Sequence, residues 1–517
     1  MLFSFALAVA VQASVCYASS VSVHTTSGIL RGIETNGLLT LKGIRFAQPP
    51  TGTLRWEPPV AFTSATFQNA TVLGPSCVQQ FPFATAAIDQ QLFNTPPALE
   101  NEDCLFLNVW APAQVQRKLP VLIWIYGGGF AFGTAGMSEY DGASIASNQN
   151  IVVVSFNYRT NIFGFPGSPD IPLTGNNLGF LDQELAFEWV QQNIANVGGD
   201  PKQVTIMGQS AGSESVAAAI SRHSPSSSPF RGGIMLSAAQ ESTVPTPSFA
   251  SFNDFASAVG CSQTPGAARL TCLRDVPAAV IRTFVNGPSG GLYVPIVDNV
   301  TFFADPFQRI RTGLTARVPF IIGNTENDGS IFALNLTNLT EYLATNFGPF
   351  VTADEVRALY PSSLGDNTVI SELTKDLVFL CPAELWAGSA VDAGVTDIYR
   401  YTYGAVFADL QLFPDAGAWH TSELPEIFGT FNRSTATQPE AELSHTMQRL
   451  VANFVKNPAV APAPNWPKYV PGNRTATLAK LAYDGNVGLG NVVQVAQSDS
   501  LDGPCDALWN QFLDVRV

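Results

Sequence analysis

Basic residues are scarce in this chain. Only 26 Lys and Arg stand against 41 Asp and Glu, a formal charge of −15 at pH 7. No Lys/Arg cluster interrupts that balance, so the surface repels polyphosphate and anionic lipid, and no nucleic-acid partner is expected. Charged residues of both signs reach 13% against 46% apolar, a make-up that buries a large core and excludes bulk disorder. No run attains the roughly 18 apolar residues of a membrane-spanning helix. There is no internal repeat, no long linker and no zinc-type Cys/His spacing. The Pro-rich stretch 461–467 and the Ser/Pro stretch 224–229 read as surface loops. One large domain over 19–517, with insertions, is the simplest organisation.

The apolar segment 2–11 is too short to cross a bilayer, and Cys16-Tyr17-Ala18 supplies small residues at both ends of a cleavage tripeptide. Residues 1–18 therefore read as a signal peptide, and the mature protein as secreted and extracellular, with no stable membrane anchor. Of seven cysteines, six remain after Cys16 is removed: Cys77, Cys104, Cys261, Cys272, Cys381 and Cys505. An even number in an oxidising compartment suggests three disulfides, whose pairing the count leaves open. Six N-x-S/T sequons (Asn69, Asn299, Asn335, Asn338, Asn432, Asn473) fit the same route, each on the surface if used.

Short β-branched runs at 121–126, 151–156, 204–207 and 318–322 are apolar on both faces, as buried parallel strands must be. Between the second and third, Leu181, Leu185 and Trp189 recur at helical spacing, predicting one apolar stripe. Strand–helix–strand alternation of this kind implies an α/β fold with a mostly parallel twisted sheet and right-handed crossovers. Ligands of such sheets bind at the carboxyl ends of the strands.

Gly208-Gln209-Ser210-Ala211-Gly212 follows one of these strands and precedes an Ala/Ser-rich helical stretch at 213–221. In that context G-x-S-x-G is a nucleophile elbow, with the Ser210 hydroxyl projecting above the sheet and the helix N-terminus favouring an oxyanion. Gly127-Gly128-Gly129 follows another buried strand and frees backbone N–H groups; with Ala211 they would form an oxyanion hole. Phosphate binding is the rival for such a glycine loop, but no Gly-Lys-Ser/Thr ending follows.

A serine hydroxyl needs a base, and histidine is scarcer still than Lys and Arg, with four in the chain. His24 lies near the mature N-terminus, His223 closely follows Ser210 in a loop, and His445 sits in a polar helical stretch. His420, late in the chain and beside Trp419, fits the order Ser, acid, His. The acid then falls between, in the turn Gly323-Asn324-Thr325-Glu326-Asn327-Asp328-Gly329, which offers Glu326 and Asp328.

With these residues in view, the chain resembles the type B carboxylesterase/lipase family, relatives of cholinesterases and fungal lipases within the α/β-hydrolase fold. The resemblance runs over 28–512. It rests on Glu102-Asp103-Cys104-Leu105-Phe106-Leu107-Asn108-Val109, on Gly199-Asp200-Pro201 through Gly212, and on the loop from His420 to Gly429. It implies a serine carboxylic ester hydrolase: Ser210 as nucleophile, His420 as base, Gly128, Gly129 and Ala211 as oxyanion donors, and no metal or organic cofactor. It also implies the pairs Cys77–Cys104, Cys261–Cys272 and Cys381–Cys505, and an ion pair between Arg55 and Glu102.

The chain departs from the family pattern at four points. Val197 replaces the usual Phe, and Gln209 replaces the Glu that often precedes the nucleophile. The family's acid commonly precedes a Gly, which favours Asp328 over Glu326 although Asp is shorter than the usual Glu. The stretch between Cys77 and Cys104 has no Trp, which argues against choline esters. It does carry Phe81, Phe83, Ile88, Leu92 and Phe93, suited either to a lipase lid or to a fixed pocket wall. A lipase or sterol esterase is therefore an alternative to a carboxylesterase, and amide or thioester cleavage would use the same groups. Non-catalytic adhesion proteins share the fold but typically lose the Ser or the His, and both are present here. The expected partner is a small-molecule or lipid ester, with lipid-interface contact in the lipase case.

Overall fold

Runs of Val, Ile and Leu with no polar alternation become the centre of one large sheet. The computed structural model describes residues 18–83, 85–113, 115–238, 249–472 and 476–513; the expected leader, apart from Ala18, and the Asn473 sequon lie outside them. In chain order the strands are β1 (Ala18–Thr25), β2 (Gly28–Thr35), β3 (Leu38–Arg45), β4 (Phe67–Asn69), β5 (Phe106–Pro112), β6 (Leu119–Ile125) and β7 (Val152–Phe156). They continue as β8 (Gly199–Ser210), β9 (Gly232–Ala238), β10 (Phe320–Thr325), β11 (Ile398–Tyr403), β12 (Ala476–Leu481) and β13 (Val493–Gln497). Their order across the sheet is β1-β2-β3-β5-β7-β6-β8-β9-β10-β11-β12-β13, with β4 beside β2.

From β7 to β12 every neighbouring pair is parallel, while the margins are antiparallel at β1-β2-β3-β5-β7 and β12-β13. β7, β9, β10 and β11 are buried along their whole length, as strands covered on both faces must be. β10 begins two residues later than the apolar run suggested and runs on through Asn324 and Thr325, so the acidic turn starts beyond Thr325.

The helix Leu178–Asn193 forms where a stripe was predicted, and its buried face is wider than the stripe. Trp189 is buried and Leu181 and Leu185 pack half-buried against the core, while Asp182, Gln183, Ala186 and Val190 are buried beside them. The reason is an ion pair. Arg159, itself buried, donates through Nε and Nη2 to the two Asp182 oxygens at 2.8 and 2.7 Å, and its backbone N–H adds a third bond at 2.9 Å.

Three disulfides join Cys77–Cys104, Cys261–Cys272 and Cys381–Cys505, the pairs the family resemblance implies. A second, smaller apolar cluster around Trp56, Ile162, Phe252 and Phe255 includes Cys261. Arg55 links this cluster to the Cys77–Cys104 region, holding Glu102 through Nη2 at 2.7 Å and the Arg274 carbonyl through Nη1 at 3.1 Å. No helix among the described residues is long and apolar enough to cross a membrane.

Removing one member of a buried pair leaves the other charge uncompensated. Asp182→Asn is expected to lower unfolding free energy by about 3–5 kcal/mol, read from urea unfolding; a loss below about 1 kcal/mol, the range of an exposed pair, would contradict this account of the helix.

Candidate active site

Ser210 closes β8 and opens the helix Ala211–Arg222. Its backbone stands at φ 56° and ψ −127°, where a residue with a Cβ is held only by its surroundings. Close packing supplies the hold. A Cβ on Gly212 would lie 2.1 Å from the Ile125 carbonyl oxygen, so only glycine lets the helix seat against the end of β6. Ser213 Oγ ties the turn by bonding to the Ser210 carbonyl at 2.7 Å and the Ser237 carbonyl at 3.0 Å.

The glycine loop leaves the end of β6 beside this elbow. A Cβ on Gly127 would come within 2.9 Å of the Ser210 Cβ, and Gly128 and Gly129 follow at φ 104° and 59°. The loop and the first turn of the elbow helix, with Ala211 foremost, thus lie next to the serine. Backbone N–H groups at such a helix start have no intrahelical acceptor.

Asp328 sits just past β10, fully buried, with both carboxylate oxygens engaged. Oδ2 accepts the Thr325 N–H at 2.8 Å; Oδ1 accepts the Ser237 hydroxyl at 2.9 Å and faces His420 Nδ1 at 2.7 Å. His420 arrives on a loop fastened to the same turn: Asn327 donates its N–H to the Ala418 carbonyl at 2.9 Å, and its Oδ1 accepts the Ala418 N–H at 3.0 Å. Glu326, the other acid of the turn, is exposed; its carboxyl bonds the Tyr483 hydroxyl and lies among Lys480 and Lys375, and partial burial raises its pKa.

The remaining histidines stand apart from this arrangement. His223 pairs with Glu184 at 3.0 Å, and His445 lies on the helix Gln438–Lys456.

A carboxylate only accepts, so His420 Nδ1 carries a proton toward Asp328. Gln209, also buried, places its amide nitrogen 3.1 Å from His420 Nε2 and 3.3 Å from Nδ1, against the face of the ring. The residue was visible in the sequence as a departure; its contact with the His420 ring was not. Equally unreadable were Phe332 and Phe379, whose rings lie 5.1 and 4.9 Å from the imidazole, and Ser237, which shares Asp328 with it.

On the other flank Phe132 is stacked between Phe81 (5.1 Å) and Phe93 (5.7 Å), and Phe93 reaches Trp419 at 6.4 Å. The root of the Cys77–Cys104 segment is pinned. Gln80 donates to the Val285 and Gly291 carbonyls at 3.0 and 2.8 Å, and Phe81 N–H donates to Asn286 at 2.9 Å. Phe83, by contrast, is 64% exposed.

Elbow, glycine loop, acid and histidine, gathered at the carboxyl ends of β6, β8 and β10, define an α/β-hydrolase. The family model of the carboxylesterase family matches residues 19–491, and the chain belongs to that family. It is a carboxylic ester hydrolase by class. Among its relatives, a chlorogenic acid esterase of Aspergillus niger is 32% identical, the match covering 88% of this chain and 86% of that one. A secreted lipase 1 of Botryotinia fuckeliana is also 32% identical, over 89% of each chain. A solved thermophilic PNB esterase superposes with a TM-score of 0.75 at 27% identity, covering 94% of this chain and 99% of its own.

Beneath the histidine loop, burial and the neighbouring Asp328 push the Glu423 carboxyl up to about 8, and burial beside Glu440 raises Glu426 well above its ordinary value. A raised folded pKa means stability that is complete below the unfolded value of 4.5 and is lost as pH rises through 8. The melting temperature is therefore expected to fall from pH 5 to pH 8, with a shallower fall in Glu423→Gln; a flat or rising profile would contradict the buried-acid account. Gln209→Glu sets a carboxylate against the imidazolium and is expected to raise the acid limb of kcat/KM by about one pH unit. An unmoved limb in that variant would mean that residue 209 does not face the base.

Proposed function

We propose that this protein is a secreted serine esterase in which Ser210, His420 and Asp328 form the catalytic triad and Gly128, Gly129 and Ala211 bind the oxyanion. The observation that carries the proposal is the positive-φ Ser210 at the strand–helix junction beside a buried His420–Asp328 pair 2.7 Å apart. When an ester enters, Ser210 Oγ attacks its carbonyl carbon and His420 Nε2 takes the hydroxyl proton. The carbonyl oxygen becomes an oxyanion, stabilised by backbone N–H groups already in place. Collapse expels the alcohol, which takes the proton from His420, and leaves an acyl-Ser210. Water then repeats the sequence and releases the acid. Asp328 holds the ring through Nδ1 and stabilises its charged form. The leader at 1–18 and relatives named as secreted support export.

The aromatic wall of Phe81, Phe132, Phe93 and Trp419 favours a small soluble ester with a flat apolar group, in line with the relative named a chlorogenic acid esterase. The second reading is a lipase. It is supported by Phe83 at 64% and Leu292 at 69% exposure, side chains that an oil surface would cover.

Hydrolysis of p-nitrophenyl esters from short to long acyl chains, dissolved and emulsified, separates the two. A maximum on short dissolved esters is expected, and a rise on long chains above their solubility limit would instead establish the lipase. Ser210→Ala is expected to fall to the blank. Asp328→Asn is expected to lose about 10⁴-fold in kcat, with Glu326→Gln near wild type; the reverse pattern would move the acid to Glu326.

A further inference from the structure

Five of the six sequons fall on described residues, and all five asparagines are exposed. Their surroundings differ. Asn338 uses Oδ1 to cap the helix Leu339–Phe347, accepting from the Glu341 N–H at 3.1 Å. At Asn299 the sequon hydroxyl is already committed, since Thr301 Oγ1 donates to Asp298 at 2.7 Å and accepts from Asn177 at 2.8 Å. At Asn432 Ser434 Oγ does reach Oδ1 at 2.7 Å, but the preceding Phe431 ring is covered by the Arg433 guanidinium.

Asn69 stands in Phe67-Gln68-Asn69-Ala70-Thr71. Thr71 Oγ1 donates to Asn69 Oδ1 at 2.9 Å, a contact two residues long that can form before the chain folds. It polarises the carboxamide of an exposed asparagine. Phe67, two residues earlier and so on the same face of β4, is 71% exposed.

The register extends that face across three strands. Asn69 lies opposite Arg31 and Phe67 opposite Ile29; Arg31 in turn lies opposite Ser22, and Ile33 opposite Ser20. Between these side chains runs an open groove of about 920 Å³, with hydroxyls and a guanidinium on one side and the Phe67 ring on the other. Such a surface suits a sugar, which presents C–H groups on its faces and hydroxyls at its rim.

We propose that Asn69 carries an N-linked oligosaccharide whose first sugars lie on the Phe67 ring and occupy the groove over β1, β2 and β4. The proposal rests on the secreted reading above. The co-reactant is a lipid-linked oligosaccharide diphosphate. Its sugar C1 forms a bond to Asn69 Nδ2, the C1–O bond to the diphosphate breaks, the lipid diphosphate leaves with the bonding pair, and Nδ2 gives up one proton.

The test expresses the full chain in a eukaryotic secretory host behind the host's own leader, so that entry does not depend on residues 1–18. Glycans are released by a peptide amidase in heavy-oxygen water, and each sequon peptide is read by mass spectrometry. The Asn69 peptide is expected to be labelled more fully than those of Asn299 and Asn338, and Thr71→Ala to lose the label, with ester hydrolysis unchanged. Glycosylated Phe67→Ser is expected to melt below glycosylated wild type, the gap closing after amidase treatment. An unlabelled Asn69 in wild type overturns the site, and a Phe67→Ser gap unaffected by deglycosylation overturns the packing. A parallel culture using the chain's own leader separates the two readings, since retention inside the cell there would sink secretion alone.

Discussion

Ser210 is held at φ 56° and ψ −127° by contacts that come from three separate parts of the chain, and the strand ends around it gather the rest of the site. β6 presents the Ile125 carbonyl against which Gly212 must close, and its following glycines run beside the serine. The elbow helix returns Ser213 to the Ser210 and Ser237 carbonyls. A conformation of this kind costs on the order of 1–3 kcal/mol and persists only where its surroundings over-determine it. The all-parallel middle of the sheet provides that surplus, because β6, β8, β9 and β10 end side by side.

The same strand ends explain why Asp328 and His420 meet. Ser237 near the end of β9, Thr325 at the end of β10 and His420 on a later loop all converge on the Asp328 carboxylate. With both oxygens bonded, that carboxylate has one orientation, and the imidazole it holds has one tautomer. Below it Glu423 is kept protonated at neutral pH by burial and by Asp328 itself. A second full negative charge there would repel the Asp328 carboxylate; the neutral carboxyl does not.

What the sequence displayed was what is local. The elbow, the glycine loop and the cysteine number are short patterns whose meaning depends on a few adjacent residues, and His420 stood out because only four histidines exist. Asp328 against Glu326 was a choice within one turn, and the two separate in space because one faces inward to Ser237 and the other outward to Tyr483. Hydropathy found only part of the buried face of Leu178–Asn193, since a scale that scores Asp182 as polar cannot anticipate Arg159 beneath it. Phe332 and Phe379 touch His420 from segments far away in the chain, and no spacing rule connects them. Gln209 was conspicuous as a substitution, but its contact with the His420 ring needed coordinates.

The central claim is that one serine, activated by this geometry, does the chemistry. Treatment with a fluorophosphonate, followed by peptide mapping, tests it without any choice of substrate. Attack by an activated Oγ on phosphorus expels fluoride and leaves a stable adduct. The account predicts one equivalent of label, on the peptide containing Ser210, with ester hydrolysis lost in proportion. Label on another residue, or full activity after stoichiometric labelling of Ser210, would contradict it.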